Sequence, residues 1–114
     1  MRFEIEFYEL ENGARPVEKF LEGLKIKNPS LWKKTLAAIS KLKNREYHKM
    51  PLTEYIESGI FSLRVISEGN ITRILFAFKK EKRISLLHGF VKKSQKIPIK
   101  ELEVARRRVK QISE

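Results

Sequence analysis

Across residues 60–96 the chain alternates apolar and polar positions in three runs, each closed by turn formers or charge. Residues 60–66 stop at Ser67-Glu68-Gly69-Asn70, residues 71–78 stop at Lys79-Lys80-Glu81-Lys82, and residues 83–91 are followed by Lys92-Lys93-Ser94-Gln95-Lys96. β-Branched and aromatic residues fill the runs, and the breaks predict three antiparallel strands joined by tight turns. With a period of two, Phe61, Leu63 and Val65 share one face, and Ser62, Arg64 and Ile66 the other. In the next run Ile74, Phe76 and Phe78 form the apolar set, while Arg73 and Lys79 point the opposite way with Leu75 and Ala77. The third run is ambiguous: Leu86, His88 and Phe90 fall on one side, Leu87, Gly89 and Val91 on the other. An arginine in mid-strand is costly to bury. Arg64 and Arg73, with a lysine pair after the third strand, therefore predict a basic, open face of the sheet.

Upstream, residues 2–8 alternate as a half-buried strand, with Phe3, Ile5 and Phe7 on one face. Glu11-Asn12-Gly13 makes a turn, and Pro16 suits the first position of a short helix carrying Val17, Phe20, Leu21 and Leu24 at helical spacing. Asn28-Pro29 starts a second helix, with Leu31, Trp32, Leu36, Ile39 and Leu42 in a wide apolar arc and Trp32 in the core. Residues 44–59 have no clear period and are expected to form a loop that carries Tyr47, His48 and Lys49 towards the sheet. Pro98 marks a last helix with the stripe Ile99, Leu102, Ala105, Val109 and Ile112. Arg106-Arg107-Arg108 interrupts that stripe, either as a solvated face or as an RNA contact. The order is β-α-α-β-β-β-α. It predicts an α+β fold over 1–114 as a single domain, an antiparallel sheet with two helices packed on one face and a C-terminal helix.

Composition narrows the function. The 114 residues are 41% hydrophobic and 34% charged, which argues against disorder. No apolar run approaches the ~20 residues of a membrane span, and the acidic start lacks signal-peptide character; the expectation is a cytoplasmic protein with no membrane partner. The absence of cysteine removes disulfides, thiolate metal sites and cysteine nucleophiles. The net charge is +11, unevenly spread. Residues 1–59 carry 11 basic and 9 acidic side chains, residues 60–114 carry 14 and 5. Such asymmetry favours a polyanionic partner, nucleic acid or an acidic protein.

Guanidinium is the natural phosphate clamp, always charged and able to hold two oxygens at once. Paired strands lie roughly 5 Å apart, so Arg64 and Arg73 can reach one phosphate. His48 and His88 are the only histidines and the side chains that titrate near neutrality. His48 sits in the loop and joins the catalytic candidates, whereas His88 reads either as a core histidine or as a functional one. A lysine among cations is a further candidate base. Phe90 is either a core residue or a stacking platform for a base. Lys49, Lys79, Lys80, His88, Phe90 and Gln95 are the expected substrate contacts. Two scattered histidines without clustered carboxylates make no metal site, and no cofactor motif is present.

Four stretches in order resemble the HigB-like branch of the RelE/ParE superfamily, the toxins of type II toxin–antitoxin systems. They are Phe7-Tyr8 with Asn12-Gly13, Pro16-Val17 and Phe20-Leu21; Gly59-Ile60-Phe61 with Leu63-Arg64; Arg73-Ile74-Leu75-Phe76; and Leu87-His88-Gly89-Phe90-Val91-Lys92-Lys93 with Pro98, Glu101 and Ala105. Ser62 and Ile97 depart from the branch, which usually has an acidic residue and a threonine there. The resemblance implies a RelE-like fold and a ribosome-dependent, metal-independent mRNA endonuclease. Arg73 then matches the family's mid-strand catalytic arginine, Arg64 the basic residue on the preceding strand, and Lys92 or Lys93 the basic residue after the last strand. It also implies a cognate helix-turn-helix antitoxin (HigA-like), a heterotetramer with it, ribosome and mRNA as targets, and operator DNA reached only through the antitoxin. The alternatives are a ParE-like gyrase inhibitor and a basic RNA-binding module that does not cut.

Overall fold

The computed structural model describes residues 2–112. In chain order it has β1 (Glu4–Phe7), α1 (Pro16–Lys27), α2 (Pro29–Lys41), a 3₁₀ turn (Arg45–Tyr47), β2 (Thr53–Glu57), β3 (Ile60–Ser67), β4 (Asn70–Lys79), β5 (Arg83–Lys92) and α3 (Ile99–Ile112). The fold is α+β and compatible with a RelE-like architecture. Its five strands run β1-β5-β4-β3-β2. Neighbours are antiparallel except β1, which lies parallel to β5, so the sheet is mixed rather than wholly antiparallel.

The meander is held by its turns. Ser58 and Gly59 join β2 to β3, Glu68 and Gly69 join β3 to β4, and all four have positive φ. Two-residue hairpin loops of this kind match the right-handed strand twist and favour glycine at the second position. The segment expected to be a loop thus contains β2. It is an edge strand of five residues, TEYIE, and its charge suits an edge that must not pair with another chain.

One face of the sheet packs against α1 and α2. Val17, Leu21, Leu24, Leu31, Ala38 and Ile39 meet Leu63, Val65, Ile74, Phe76, Ile84 and Leu86 there. Asn28 caps α2 by accepting a hydrogen bond from the Leu31 N–H at 3.2 Å. The stripe of α2 corrects the expected arc: Thr35 is fully buried, whereas Leu36 is 39% exposed. Thr35 Oγ1 donates to the Leu31 carbonyl at 2.8 Å and exchanges a hydrogen bond with Thr72 Oγ1 at 3.2 Å. A polar residue thus ties helix to sheet, with its hydroxyl satisfied.

The other face is half covered by α3. Ile60, Leu75, Ala77, Leu87, Phe90 and Ala105 form a second core, flanked by Leu102, Val109 and Ile112. Ile99, expected on the stripe, is 67% exposed before the helix meets the sheet. A bulge resolves the ambiguity of β5. Phe76 pairs with Leu86 and Leu75 with His88, leaving Leu87 as the extra residue. The alternation flips at that point: Leu86 faces α1 and α2, while Leu87, His88 and Phe90 all face α3.

Gly89 lies on the α1 side of β5, where a Cβ would stand 2.6 Å from the Phe20 ring and 3.0 Å from Ile74 Cδ1. Gly89→Ala is expected to push α1 off the sheet and cost about 1–3 kcal/mol, read as a lower urea midpoint. An unchanged midpoint would mean that Phe20 moves freely.

Candidate functional site

Arg64 and Arg73 stand directly opposite each other across β3 and β4, on the face shared with α3. Like charges placed this way oppose sheet pairing, so neighbouring groups have to hold them. Arg64 Nη1 donates to Gln95 Oε1 at 2.9 Å. Arg73 Nη2 donates to the Gln95 carbonyl oxygen. Its Nη1 reaches Ser62 Oγ at 3.4 Å and Glu54 Oε1 at 3.6 Å. One residue of the segment after β5 therefore spans both guanidiniums, its side chain on one and its backbone on the other.

The two arginines differ in exposure. Arg64 is half-buried, but Arg73 is only 1% exposed, under Gln95 and beside Phe90, its partner on β5. The expectation of a wholly water-facing pair is corrected for Arg73. Its Nε is buried without a hydrogen-bond partner. Burial pushes its pKa down; Glu54 opposes the shift and the neighbouring Arg64 charge adds to it. A guanidinium nevertheless stays protonated in proteins. The site thus holds a desolvated, incompletely satisfied cation next to a solvated one.

Three further expected residues gather on this face. Phe90 is buried beside Arg73, and Lys92 lies one step on, opposite Ile71. His88 faces the same way, a diagonal step of about 7 Å from Arg73 along the ladder. His88 Nε2 is 2.8 Å from Glu101 Oε1 at the start of α3, and its ring is 5.6 Å from that of Phe90. A carboxylate can only accept, so Nε2 carries the hydrogen; in the neutral ring Nδ1 is left as the acceptor. Lys93 is exposed immediately after β5.

The other expected residues lie elsewhere. His48 packs against Phe3 and Phe78, at 4.7 and 5.0 Å between ring centroids, and donates through Nε2 to the Leu42 carbonyl at 2.6 Å. Phe78 is five positions from Arg73 and on the opposite face, so His48 is separated from the arginines by the sheet and by roughly 17 Å along the strand. Lys49 is exposed before β2, its carbonyl accepting from the Thr53 N–H. Lys79 pairs with Glu6 at 3.2 Å near the far end of β4, and Lys80 is exposed in the turn beyond.

The triple arginine resolves into separate roles. Arg106 grips Glu57 at 2.7 and 2.8 Å, and this bond holds the Glu57 carboxyl below its ordinary pKa. Arg108 donates to the Leu87 carbonyl at 2.7 Å and lies over the Tyr8 ring. Both pin α3 to the sheet; Arg107 is exposed. Sequence reasoning missed Glu54, and it named Glu101 only as part of the family signature, without a role at the site. Glu54 was hidden with β2, although Ser58-Gly59 two residues ahead of Ile60 repeats the Glu68-Gly69 signal. Glu101 lies three residues after Pro98, in the first turn of a helix, where a carboxylate is favoured whatever it touches. Among the described residues, no group of three or more His, Asp or Glu side chains could hold a metal ion.

A family model for phage-derived Gp49-like proteins (DUF891) matches residues 19–110, a span that includes Arg64, Arg73, His88, Phe90, Lys92 and Glu101. The chain belongs to the Gp49-like family. That family is a RelE/HigB-like toxin domain, which gives this Gp49-like chain a toxin-like role. Comparison with curated proteins gives no match. No helix among the described residues of the Gp49-like chain is long and apolar enough to cross a membrane.

Proposed function

We propose that this Gp49-like chain is a HigB-like toxin that cuts mRNA on the ribosome without a metal ion. The observation that carries the reading is the facing of Arg64 and Arg73 across two strands, an arrangement that costs stability and needs another reason to exist. In this reading Gln95 holds the place of RNA. Its amide and backbone oxygens are the kind of acceptor a phosphate offers, and a phosphodiester oxygen takes their place when substrate enters.

Cleavage then needs a base, an acid and charge stabilisation. The 2′-hydroxyl gives its proton to Nδ1 of His88, whose Nε2 is held by Glu101. The 2′-oxygen attacks phosphorus while the guanidiniums take up charge on the phosphoryl oxygens. The bond to the 5′-oxygen breaks, and an ammonium of Lys92 or Lys93 supplies the proton to that oxygen. The products are a 2′,3′-cyclic phosphate and a 5′-hydroxyl. Lys49 and Lys80, exposed away from the arginine pair, are left as outlying substrate contacts, and Lys79 is held by Glu6.

The antitoxin of this reading is a HigA-like helix-turn-helix protein encoded nearby, forming a two-plus-two heterotetramer that touches operator DNA through the antitoxin. Toxin and target meet in the cytoplasm. The test adds purified protein to translating ribosomes and maps mRNA ends. Wild type is expected to give cuts in the ribosomal A site, and Arg64→Ala to reduce them by about 10²-fold. Intact mRNA with wild type would refute nuclease action. Gyrase inhibition with intact mRNA would favour a ParE-like poison.

A further inference from the structure

A cleft of about 320 Å³ opens beside Arg64, between the end of α2 and the part of β3 that runs on past β2. Lys41, Tyr47, Pro51, Leu52, Arg64 and Ile66 line it. We propose that this cleft receives one unstacked nucleobase of the RNA strand whose phosphate rests on Arg64. The inference rests on the RNA-cutting reading above and adds to it the place where a base is held.

The lining has the chemistry of a nucleotide. Its walls are apolar (Pro51, Leu52, Ile66), one side chain is aromatic (Tyr47), and its two charged members are both cations. An RNA residue presents the same combination, a flat ring with apolar faces attached to an anion, and RNA-binding proteins hold splayed bases on aromatic rings. The volume falls at the lower end of ligand pockets, about 300–1,000 Å³. Lys41 Nζ lies over the Tyr47 ring at 5.5 Å, which sets a cation at the rim next to a stacking surface.

The cleft is also built. The Arg64 N–H donates to the Leu52 carbonyl at 3.0 Å, and Thr53 Oγ1 donates to the Tyr47 carbonyl at 2.8 Å. These bonds fix two walls to β3 and β2. Ile66 is 50% exposed on the remaining wall. A half-exposed isoleucine has little to do for the core; as the floor of a base site it has an occupant. Arg64 belongs to the cleft and to the arginine pair, so base and phosphate are held by neighbouring groups.

The experiment titrates the full chain, by NMR, with a 2′-O-methyl RNA hexamer that cannot be cut, and with the same hexamer abasic at its central position. The base-bearing strand is expected to move the Leu52 and Ile66 methyl signals, and the abasic strand to leave them in place. Ile66→Trp, which fills the cleft from an exposed position, is expected to weaken the base-bearing strand about tenfold and to spare the abasic one. Tyr47→Ala, lacking the stacking surface, is expected to behave alike.

Equal binding of the two strands with unmoved signals would overturn the base site, while Arg64-dependent cleavage on ribosomes would still stand. Signals moved by an acidic peptide but not by RNA would overturn it in favour of a protein partner. No binding of either strand, together with intact mRNA on ribosomes, would remove the nuclease reading and the base site with it.

Discussion

Arg73→Met is expected to slow mRNA cleavage by about 10²- to 10³-fold while leaving the folded state as stable as before, or more so. The two halves of this expectation have one cause. Arg73 is 1% exposed, faces Arg64, and keeps a buried Nε without a partner. Methionine keeps most of the volume and removes the desolvated charge, its unpartnered Nε and its repulsion with Arg64; removing one partner of an ion pair is costly where the other stays buried and charged. Of the three partners left behind, the charged one, Glu54, has a side chain that is 42% exposed and stays hydrated, while the Gln95 carbonyl and the buried Ser62 hydroxyl each lose a donor. Thermal unfolding and cleavage rate on ribosomes, measured on one preparation, separate the possibilities. Lost activity with a midpoint held or raised marks Arg73 as functional. A collapse in stability would mark it as a structural cation, and unchanged cleavage would take it out of the chemistry.

The largest stability effect is expected at Phe76. Its side chain is fully buried at the centre of the sheet, its ring 5.8 Å from Phe61 and 5.7 Å from Phe78. Phe76→Ala removes a stacked and an edge-on contact together, and α1, α2 and the sheet cannot all close on the space. The expected cost is about 3–5 kcal/mol, a large part of the roughly 5–15 kcal/mol that holds a domain of this size. The melting midpoint should fall by more than about 10 °C. A fall of only a few degrees would mean that the aromatic cluster repacks around the gap.

The sequence made the meander legible because three signals agree there. Periodicity, β-branched composition and turn chemistry give the same strands within one residue at each end, and they put Arg64 and Arg73 on one face. Where a single signal stands alone it fails. β2 has charged residues at the positions that would show its period, since an edge strand has only one neighbour to satisfy. The bulge at Leu87 is invisible to any two-residue count, because one inserted residue reverses every later assignment. Thr35 was passed over for Leu36 because a hydroxyl looks exposed until Leu31 and Thr72 are seen to receive it.

The site was less legible than the fold. Residue types predicted a basic face, but the ordinary cost of burying arginine predicted that Arg73 would face water. An isolated guanidinium does incur that cost. Glu54 and Gln95, 19 positions before it and 22 after, supply the partners that make burial possible. Separating His48 from His88 required knowing which end and which face of the sheet each lies against, which the order of elements does not state. Glu101 stood in the family signature without a role until its contact with His88 gave it one.

The account turns on the two guanidiniums acting on one phosphate. Single-turnover cleavage of ribosome-bound mRNA by wild type, Arg64→Ala, Arg73→Met and the double variant tests this most directly. Groups that work as a unit are non-additive, so the double variant is predicted to be hardly slower than the worse single one. Losses that simply multiply, or single variants that cut at the wild-type rate, would contradict it.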